Sequence, residues 1–329
     1  MAELNLREMY RFSQEVQEKN LIDNGNYRQD QLVIAKSLCG VFWVVDEENS
    51  AYRSFSGMLA PKQNFTDATF TVLTCSHGFT AGNADDGVSY YFVPYGVAVT
   101  DEPDSIDDVR RKGFQVVAIK QGGNTIFSSM EDETLNKINI QEKNLYEQND
   151  YAEVKITACN ASGESLKNAL QNATVGGKEL GIISSISVVL PDLNNAEATS
   201  EGEQRLFVIG LATEDGLVYD DSDLIVSTNM NNNSEVKITA LRSLNDDENV
   251  KKPPKIGNIH ELSAPLATYY GMSGGPVLLC KLFNNETNKK NCLSIIGTLW
   301  GAEREFNEEG KLIQFTTFIN HPITPLDKK

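Results

Sequence analysis

The stretch GMSGGPVLL (271–279) sets a serine between glycines and leads directly into an apolar run. Small neighbours leave the hydroxyl of Ser273 exposed, and glycine permits backbone angles that turn consecutive N–H groups toward one point. The oxyanion formed in acyl transfer needs such a point. An ordinary glycine-rich turn is the alternative, but a fixed G-x-S-G-G-P arises by chance in only about one in a few thousand sequences of this length. The stretch therefore predicts a nucleophilic serine at the start of a β-strand.

Short apolar runs separated by turn residues make up most of the chain from about residue 32 onward. Their alternation and their β-branched and aromatic residues are typical of β-strands. The predicted strands are LVIA (33–36), GVFWVV (40–45), FTVLTC (70–75), YYFVPYGVAV (90–99), FQVVAIK (114–120), IISSISVVL (182–190), RLFVIGL (205–211), EVKITALRS (235–243), PVLLCKLF (276–283), LSIIGTLW (293–300) and IQFTTFI (313–319). Helical spacing is found mainly at 3–19 and in SLKNALQN (165–172). Many short strands without alternating helices predict barrels or sandwiches.

A histidine closes one of these predicted strands. VLTCSH (72–77) passes from apolar to small polar residues and ends on His77. A general base for a serine hydroxyl has to be held firmly, and the end of a strand provides that support. A lone histidine beside a strand is more often structural, but the chain has only three, and His260 and His321 lack a comparable setting. His77 is therefore the predicted base.

An aspartate opens another predicted strand. NDYAEVKI (149–156) places Asp150 at its start. A carboxylate there could accept a hydrogen bond from the imidazole, hold its tautomer and stabilise the imidazolium. An aspartate at the start of a strand is more often a turn or cap residue. Further aspartates lie between His77 and Ser273 and leave the assignment of the acid open: Asp101, Asp104, Asp107 and Asp108.

Together these segments resemble a known family. TVLTCSHGF (71–79), NDYAEVKI (149–156) and GMSGGPV (271–277) are similar to the histidine, aspartate and serine motifs of the chymotrypsin/trypsin superfamily, and they follow its chain order. Weaker matches extend the resemblance over about residues 36–320: SGML (56–59), FVIGL (207–211) and IGTLWG (296–301). The resemblance implies an all-β fold of two six-stranded antiparallel barrels with a short N-terminal helix.

The implied organisation has four parts. They are an N-terminal helical extension (1–31), a first barrel with His77 and Asp150 (32–160), a crossover (161–180) and a second barrel with Ser273 (181–329).

The resemblance also implies a role for each site residue. Ser273 would attack the scissile carbonyl, His77 would carry the proton, and Asp150 would orient His77. The backbone N–H groups of Gly271 and Ser273 would form the oxyanion hole. The substrate-binding residues would be Ala267 at the floor of the pocket and, along an edge that pairs with extended substrate, Thr298, Leu299, Trp300 and Gly301. We therefore expect a serine endopeptidase that acts on proteins or peptides through an acyl-enzyme, without a cofactor or metal ion.

Departures from the family pattern narrow the expected type. Met272 stands where secreted members carry an acid that pairs with a new N-terminus, and no Ile-Val-Gly-Gly-like start is present. Gly78 follows the histidine, where those members have a cysteine. The regulated bacterial branch has a peptide-binding domain after the protease, whereas the sequence here ends soon after Phe318, so a variety without that domain is expected. A single-module enzyme that needs no cleavage for activation is expected.

The predicted specificity is for a small or medium apolar P1 residue. Ala267 near the pocket floor provides no carboxylate for a basic side chain. Glu303 and Glu305 follow the predicted cleft strand, so a basic preference stays open.

Composition bounds the partners and the compartment. The formal net charge of −17 and the pI of about 4.7 argue against nucleic acid, because phosphate binding needs a basic surface. Residues 1–20 carry charges throughout, and no run approaches the roughly 18 apolar residues of a membrane span. Five cysteines without CxxC spacing indicate neither a disulfide framework nor a zinc site. A cytoplasmic protein without a membrane partner is expected; delivery into another cell stays open, and the oligomeric state is not indicated.

Two other functions remain open at this point. One is a trypsin-fold binding module that is catalytically silent. The other is a protease held inactive until a partner moves the N-terminal helix or the acidic loops, which include the predicted surface loop DEPDSIDD (101–108).

Overall fold

The described part of the chain is mostly β-structure with few helices. In the computed structural model, the described residues are 39–46, 50–60, 67–81, 88–94, 97, 103–121, 124–128, 151–172, 203–211, 224–227, 258–262, 271–282, 292–309 and 312–321. The strands are β1 (Cys39–Asp46), β2 (Ser50–Leu59), β3 (Thr69–Cys75), β4 (Val88–Pro94), β5 (Phe114–Gln121), β6 (Asn124–Ser128), β7 (Tyr151–Thr157), β8 (Glu203–Leu211), β9 (Leu224–Ser227), β10 (Asn258–Leu262), β11 (Pro276–Leu282), β12 (Cys292–Phe306) and β13 (Leu312–His321). The helices are α1 (Ile106–Lys112), α2 (Leu166–Asn172) and a 3₁₀-helix (His77–Ala81). No helix in this part of the chain is both long and apolar enough to cross a membrane.

The predicted strands that fall within the described residues are confirmed. β1, β3, β4, β5, β8, β11, β12 and β13 each overlap one of the apolar runs, and α2 overlaps the predicted helix at 165–172. The predicted N-terminal helix (3–19) and the runs 33–36, 182–190 and 235–243 lie outside the described residues.

The first seven strands form a sheet that closes into a six-stranded antiparallel barrel. Their order is β4-β1-β2-β3-β7-β5-β6, and β4 also pairs with β5, so the ring β1-β2-β3-β7-β5-β4 has no free edge. β4, β1, β2 and β3 follow the Greek-key order, in which the fourth strand returns beside the first. β6 extends the sheet as a hairpin with β5.

Aromatic rings fill the centre of this barrel. Phe42 of β1 stacks on Phe55 of β2 with ring centroids 4.7 Å apart and contacts Phe92 of β4 at 5.3 Å. Phe79, in the 3₁₀-helix, packs edge-on against Phe42 at 5.4 Å and against Phe55 at 4.8 Å. All four side chains are buried, and each contributes about 1.5–3 kcal/mol to folding. The 3₁₀-helix that begins at His77 is therefore anchored to the barrel core.

The strand β1 is buried along almost its whole length. β3 and β7 instead alternate buried with partly exposed residues, as strands with one face on a core do. β1 contacts β8 of the second sheet and α1 in addition to its barrel neighbours. The second sheet therefore covers part of the outer side of the barrel.

The helix α1 begins inside the acidic run DEPDSIDD (101–108), which the sequence predicts as a surface loop. The hydroxyl of Ser105 caps the helix by accepting a hydrogen bond from the N–H of Asp108 at 3.2 Å. Asp108 also pairs with Lys112 at 2.6 Å and with Arg111. The hydrogen bond from Lys112 holds the pKa of Asp108 below its ordinary value. Capping and charge pairs one turn apart thus favour a helix where the composition favours a loop.

The remaining six strands form a second antiparallel sheet with the order β10-β13-β12-β11-β8-β9. If β6 is left out, the six barrel strands (β1 to β5 and β7) can be numbered one to six in chain order, and so can the six strands of the second sheet (β8 to β13). In both sets, strand one then pairs with strands two and four, strand four pairs with strand five, and strand six pairs with strands five and three. The second sheet therefore repeats the strand order of the barrel. The barrel also pairs its second and third strands, and among the described residues β9 and β10 do not. Residues 228–257, which connect these two strands, lie outside the described part of the chain.

Candidate active site

The loop that carries Ser273 (residues 271–275, the serine loop) requires glycine at two positions. Gly271 and Gly274 have φ angles of 87° and 79°, which side chains other than glycine rarely adopt. A Cβ at Gly274 would also overlap the hydroxyl of Thr74 and the carbonyl oxygen of Ser56. The loop therefore lies against the first barrel with no space for a side chain between them.

Hydrogen bonds attach this loop to the barrel strands β2 and β3. The N–H of Ser56 donates to the carbonyl of Ser273 at 2.8 Å, and the hydroxyl of Ser56 donates to the carbonyl of Gly271 at 2.8 Å. The hydroxyl of Thr74 in turn donates to the carbonyl of Ser56 at 2.6 Å. Ser56 and Thr74 are both fully buried, so water does not compete for these bonds.

A second set of contacts attaches the loop to its own sheet. The N–H of Gly274 donates to the carbonyl of Leu299 at 2.8 Å, and the N–H of Leu299 donates to the carbonyl of Gly275 at 2.8 Å. A Cβ at Gly275 would overlap the carbonyl oxygen of Ile209 in β8. The loop is thus fixed between β12 and β8 on one side and the barrel on the other.

Met272 lies in the middle of the loop and is completely buried. Gly210 of β8 faces it so closely that a Cβ there would lie 2.9 Å from the Cα of Met272. An apolar side chain suits this position, since an ionised group would lose its hydration without gaining a partner.

Two N–H groups of the loop are candidates for an oxyanion hole. Among the described residues, the N–H groups of Gly271 and Ser273 donate to no backbone oxygen, whereas those of Gly274 and Gly275 do. Ser273 is partly exposed while its neighbours are buried. Two donors without backbone acceptors beside an accessible hydroxyl can stabilise charge that develops on a bound carbonyl oxygen.

His77 is placed by the 3₁₀-helix that follows β3. The core residue Phe79 anchors this helix, and a Cβ at Gly78 would lie 2.5 Å from the ring of Phe55. This crowding leaves no space for a side chain directly after the histidine unless the ring of Phe55 moves. The imidazole is partly exposed, and its Nε2 lies 3.8 Å from the sulfur of the buried Cys75.

The strand β3, which ends two residues before His77, and the loop that carries Ser273 come together in the structure. Thr74, three residues before the histidine, is the residue that a Cβ at Gly274 would overlap. The hydroxyl of Thr298, near the loop in β12, also approaches the carbonyl of Thr74 at 3.5 Å. Residues about 200 positions apart in the chain thus meet between the two sheets.

The predicted acid, Asp150, lies outside the described residues. The next residue, Tyr151, begins β7 and pairs with Cys75 in β3, two residues before His77. Burial raises the pKa of the Tyr151 phenol, and the charge of Glu153 raises it further. The phenol therefore stays neutral at physiological pH and is not available as a base.

In the predicted substrate-binding edge (298–301), the first two residues already have hydrogen-bonding or strand partners on both sides, and within the described part of the chain the last two do not. Thr298 pairs with Pro276 in β11 and with Asn320 in β13, and the N–H and carbonyl of Leu299 are already bonded to the serine loop. From Trp300 onward, the described pairing of β12 is with β13 alone, and Gly301 pairs with Phe318. The edge that faces away from β13 without a described strand partner therefore begins at Trp300.

Ala267, predicted at the pocket floor, lies outside the described residues. Among the described side chains, no cluster of three or more His, Cys, Asp or Glu is arranged to hold a metal ion.

Ser56 and Thr74 support the candidate site, and they enter the sequence analysis only as parts of matched motifs. Their role depends on hydrogen bonds to residues far away in the chain, and no local pattern identifies those partners. The available signal is that Ser56 and Gly57 directly precede an apolar pair, and that Thr74 lies in the histidine segment.

No protein-family model matches the chain, and no curated protein sequence matches it. Among solved structures, the chain is similar to the crystal structure of the Borreliella burgdorferi PlzA protein in complex with c-di-GMP. The TM-score is 0.23 and the sequence identity 8%, over 95% of each chain. A TM-score this low does not indicate a shared fold, so the ligand of that protein supports no inference about this one.

Proposed function

We propose that the protein is a serine endopeptidase that cleaves peptide bonds through an acyl-enzyme on Ser273. The observation that carries this proposal is the docking of the serine loop on β2 and on β3, the strand that precedes His77, through Ser56 and Thr74. A nucleophile and its base have to come within hydrogen-bonding reach, and this docking brings their two segments to the same place.

The fold we propose for this enzyme is trypsin-like, with two six-stranded barrels. The first sheet is a closed barrel, and the second repeats five of the six pairings of that barrel in the same order. One further pairing, between β9 and β10, would complete a second ring. The repeated strand order supports the proposal, because two unrelated sheets have no reason to share it.

The proposed mechanism assigns one step to each group. His77 accepts the hydroxyl proton as Ser273 attacks the substrate carbonyl, and the N–H groups of Gly271 and Ser273 stabilise the resulting oxyanion. His77 then protonates the leaving amine, and a water molecule, activated by the same histidine, hydrolyses the acyl-enzyme. No cofactor takes part in these steps.

Asp150 is the acid we propose for orienting His77. What supports this choice is its neighbour in the chain, Tyr151, which pairs with Cys75 two residues before His77. Two other candidates are less suited, because Asp107 is 96% exposed in its side chain and Asp108 is paired with Lys112. The described contacts therefore favour Asp150 over the aspartates of α1.

The substrate would bind as an extended strand along the edge of β12 that begins at Trp300. Main-chain hydrogen bonds to this edge would provide affinity that depends little on side chains. The pocket itself is proposed to accept a small or medium apolar P1 residue, as the sequence around Ala267 predicts.

Hydrolysis of a P1-varied peptide library by the purified protein tests this proposal. Wild type should cleave after apolar residues, and Ser273→Ala should lose at least about 10⁴-fold in kcat. Ser162→Ala, in an exposed turn of the described chain, is the matched control and should keep wild-type activity. Strong cleavage after Arg or Lys would overturn the apolar pocket but leave the mechanism standing. A wild type that cleaves nothing, or a fully active Ser273→Ala, would overturn the proposed function and favour a binding module.

A matched pair of aspartate variants tests the proposed acid. Asp150→Asn should lose about 10⁴-fold in kcat, as expected when the orienting carboxylate is removed. The exposed Asp104→Asn should retain activity, and the reverse result would move the role to the segment before α1.

A further inference from the structure

Residues 271–275 of the serine loop carry no charged side chain, so no ion pair from within this segment holds the loop in place. Its central side chain is Met272, which is apolar and completely buried. The orientation of the Ser273 N–H therefore has to be determined by other contacts, and those contacts decide whether the oxyanion hole is formed.

Ser56 binds the loop on both sides of one peptide unit. Its hydroxyl donates to the carbonyl of Gly271, and its N–H donates to the carbonyl of Ser273, each at 2.8 Å. The peptide between these two carbonyl-bearing units joins Met272 to Ser273, and it carries the Ser273 N–H. The carbonyl of this unit, that of Met272, accepts a hydrogen bond from the N–H of Gly275 at 2.9 Å, and Ser56 constrains the units on either side of it. Because each peptide unit is planar, these three hydrogen bonds together restrict the orientation of the Ser273 N–H.

Thr74 fixes Ser56 in turn. Its hydroxyl donates to the Ser56 carbonyl at 2.6 Å, so the three residues form a buried chain of hydrogen bonds from the histidine strand to the serine loop. Ser56, Thr74 and Gly271 are all buried, where breaking one bond leaves a polar group without a partner.

We propose that Ser56, supported by Thr74, is a positioning residue that holds the Ser273 N–H in the orientation an oxyanion hole requires. This inference rests on the proposed peptidase function. It assigns to a side-chain hydroxyl of the first barrel the task of keeping the loop in its working form without proteolytic activation. Neither residue touches the substrate in this scheme, so their effect is on kcat.

Ser56→Ala removes the hydroxyl and keeps the backbone bond to Ser273. We expect kcat to fall about tenfold, below the 10²–10³-fold cost of losing an oxyanion donor outright, with KM within about twofold of wild type. Hydrogen–deuterium exchange should become faster in peptides that cover 271–275 and stay unchanged in β1. Ser54→Ala, two residues earlier in the same strand, is the matched control and should change neither quantity.

A second pair of variants guards against a folding defect at position 56. Thr74→Val keeps the shape of the side chain but not its hydroxyl, and Thr74→Ser keeps the hydroxyl. Thr74→Val should lower kcat severalfold, and Thr74→Ser should restore most of it. A purely structural role for shape would give the opposite ranking and would overturn the proposal.

The remaining outcomes are distinguishable. Unchanged kcat and unchanged exchange in Ser56→Ala would overturn the inference while the peptidase function stands. A raised KM with unchanged kcat would overturn it too, because the residue would then act on substrate binding. If wild type cleaves no peptide, the proposed function fails, and the exchange measurement still decides whether Ser56 holds the loop.

Discussion

The first barrel and the second sheet share one strand order, but their described contacts differ in kind. The barrel closes on itself around an aromatic cluster of its own residues, including Phe42 and Phe79. The serine loop is bonded to its own sheet at Leu299 and also to the other unit at Ser56, which Thr74 supports. The difference teaches that the turn with His77 is supported by the core of its own barrel, through Phe79. The position of the serine loop depends in addition on how the two units dock.

The largest effect is expected for a charge buried in the loop. Met272→Asp should lower the free energy of unfolding by roughly 3–5 kcal/mol at neutral pH, because the carboxylate would have no partner. Burial raises the pKa of such a carboxyl, so the folded state holds the proton more tightly than the unfolded state does. The penalty should therefore be complete at neutral pH and shrink as the pH falls toward about 4, which urea titrations at both pH values would measure.

Met272→Leu is the control for this change and should cost less than about 1.5 kcal/mol. Equal stability of the two variants at neutral pH would mean that position 272 reaches water, contrary to the buried loop described above.

A somewhat smaller effect is expected at the contact between the two units. Gly274→Ala adds a methyl group that overlaps Ser56 and Thr74 and also strains a φ of 79°, so it should cost about 2–5 kcal/mol. Gly163→Ala has nearly the same backbone strain, with a φ of 82°, but its Cβ meets no atom within 4 Å. It should cost only the strain, about 1–2 kcal/mol. Thermal unfolding of both variants isolates the docking contact, and equal losses would show that the loop is not packed against the barrel.

The smallest of these effects is expected inside the barrel. Gly78→Ala brings a Cβ to 2.5 Å from the ring of Phe55 and should cost about 1–3 kcal/mol, with a loss of activity because His77 shifts. The same change in the second sheet, at Gly301, meets no atom within 4 Å and should alter stability by less than about 0.5 kcal/mol. Denaturant unfolding compares the two. A neutral Gly78→Ala would contradict the anchoring of the histidine turn to the core.

Local sequence patterns predict many of the strands but not the way they pair. The runs in β1 and β3 are long, apolar and rich in β-branched residues, so they are readily predicted. β10, with the sequence NIHEL, is short and half polar, and it is held by its pairing with β13 instead of by its own preference. The repeated strand order leaves no trace in the residues, because it is determined by pairing between distant segments.

The candidate site shows the same division. The sequence proposes Ser273 and His77 because each lies in a short segment whose residue types match one chemical task, and their roles stay predictions. The hydrogen bond from the Ser56 hydroxyl to the serine loop could not be predicted in this way, because its acceptor lies 215 positions away in the chain. The available edge of β12 also shifts toward Trp300, since the carbonyl and N–H of Leu299 serve the serine loop.

Labelling with a fluorophosphonate probe, followed by peptide mapping of the adduct, tests the central claim most directly. That claim is that the serine loop and the histidine strand together form one nucleophilic site. We predict a single adduct on Ser273 in wild type, none in Ser273→Ala, and labelling slowed at least about 10³-fold in His77→Ala. A Ser273 that stays unlabelled, or that reacts equally fast with and without His77, would contradict this account.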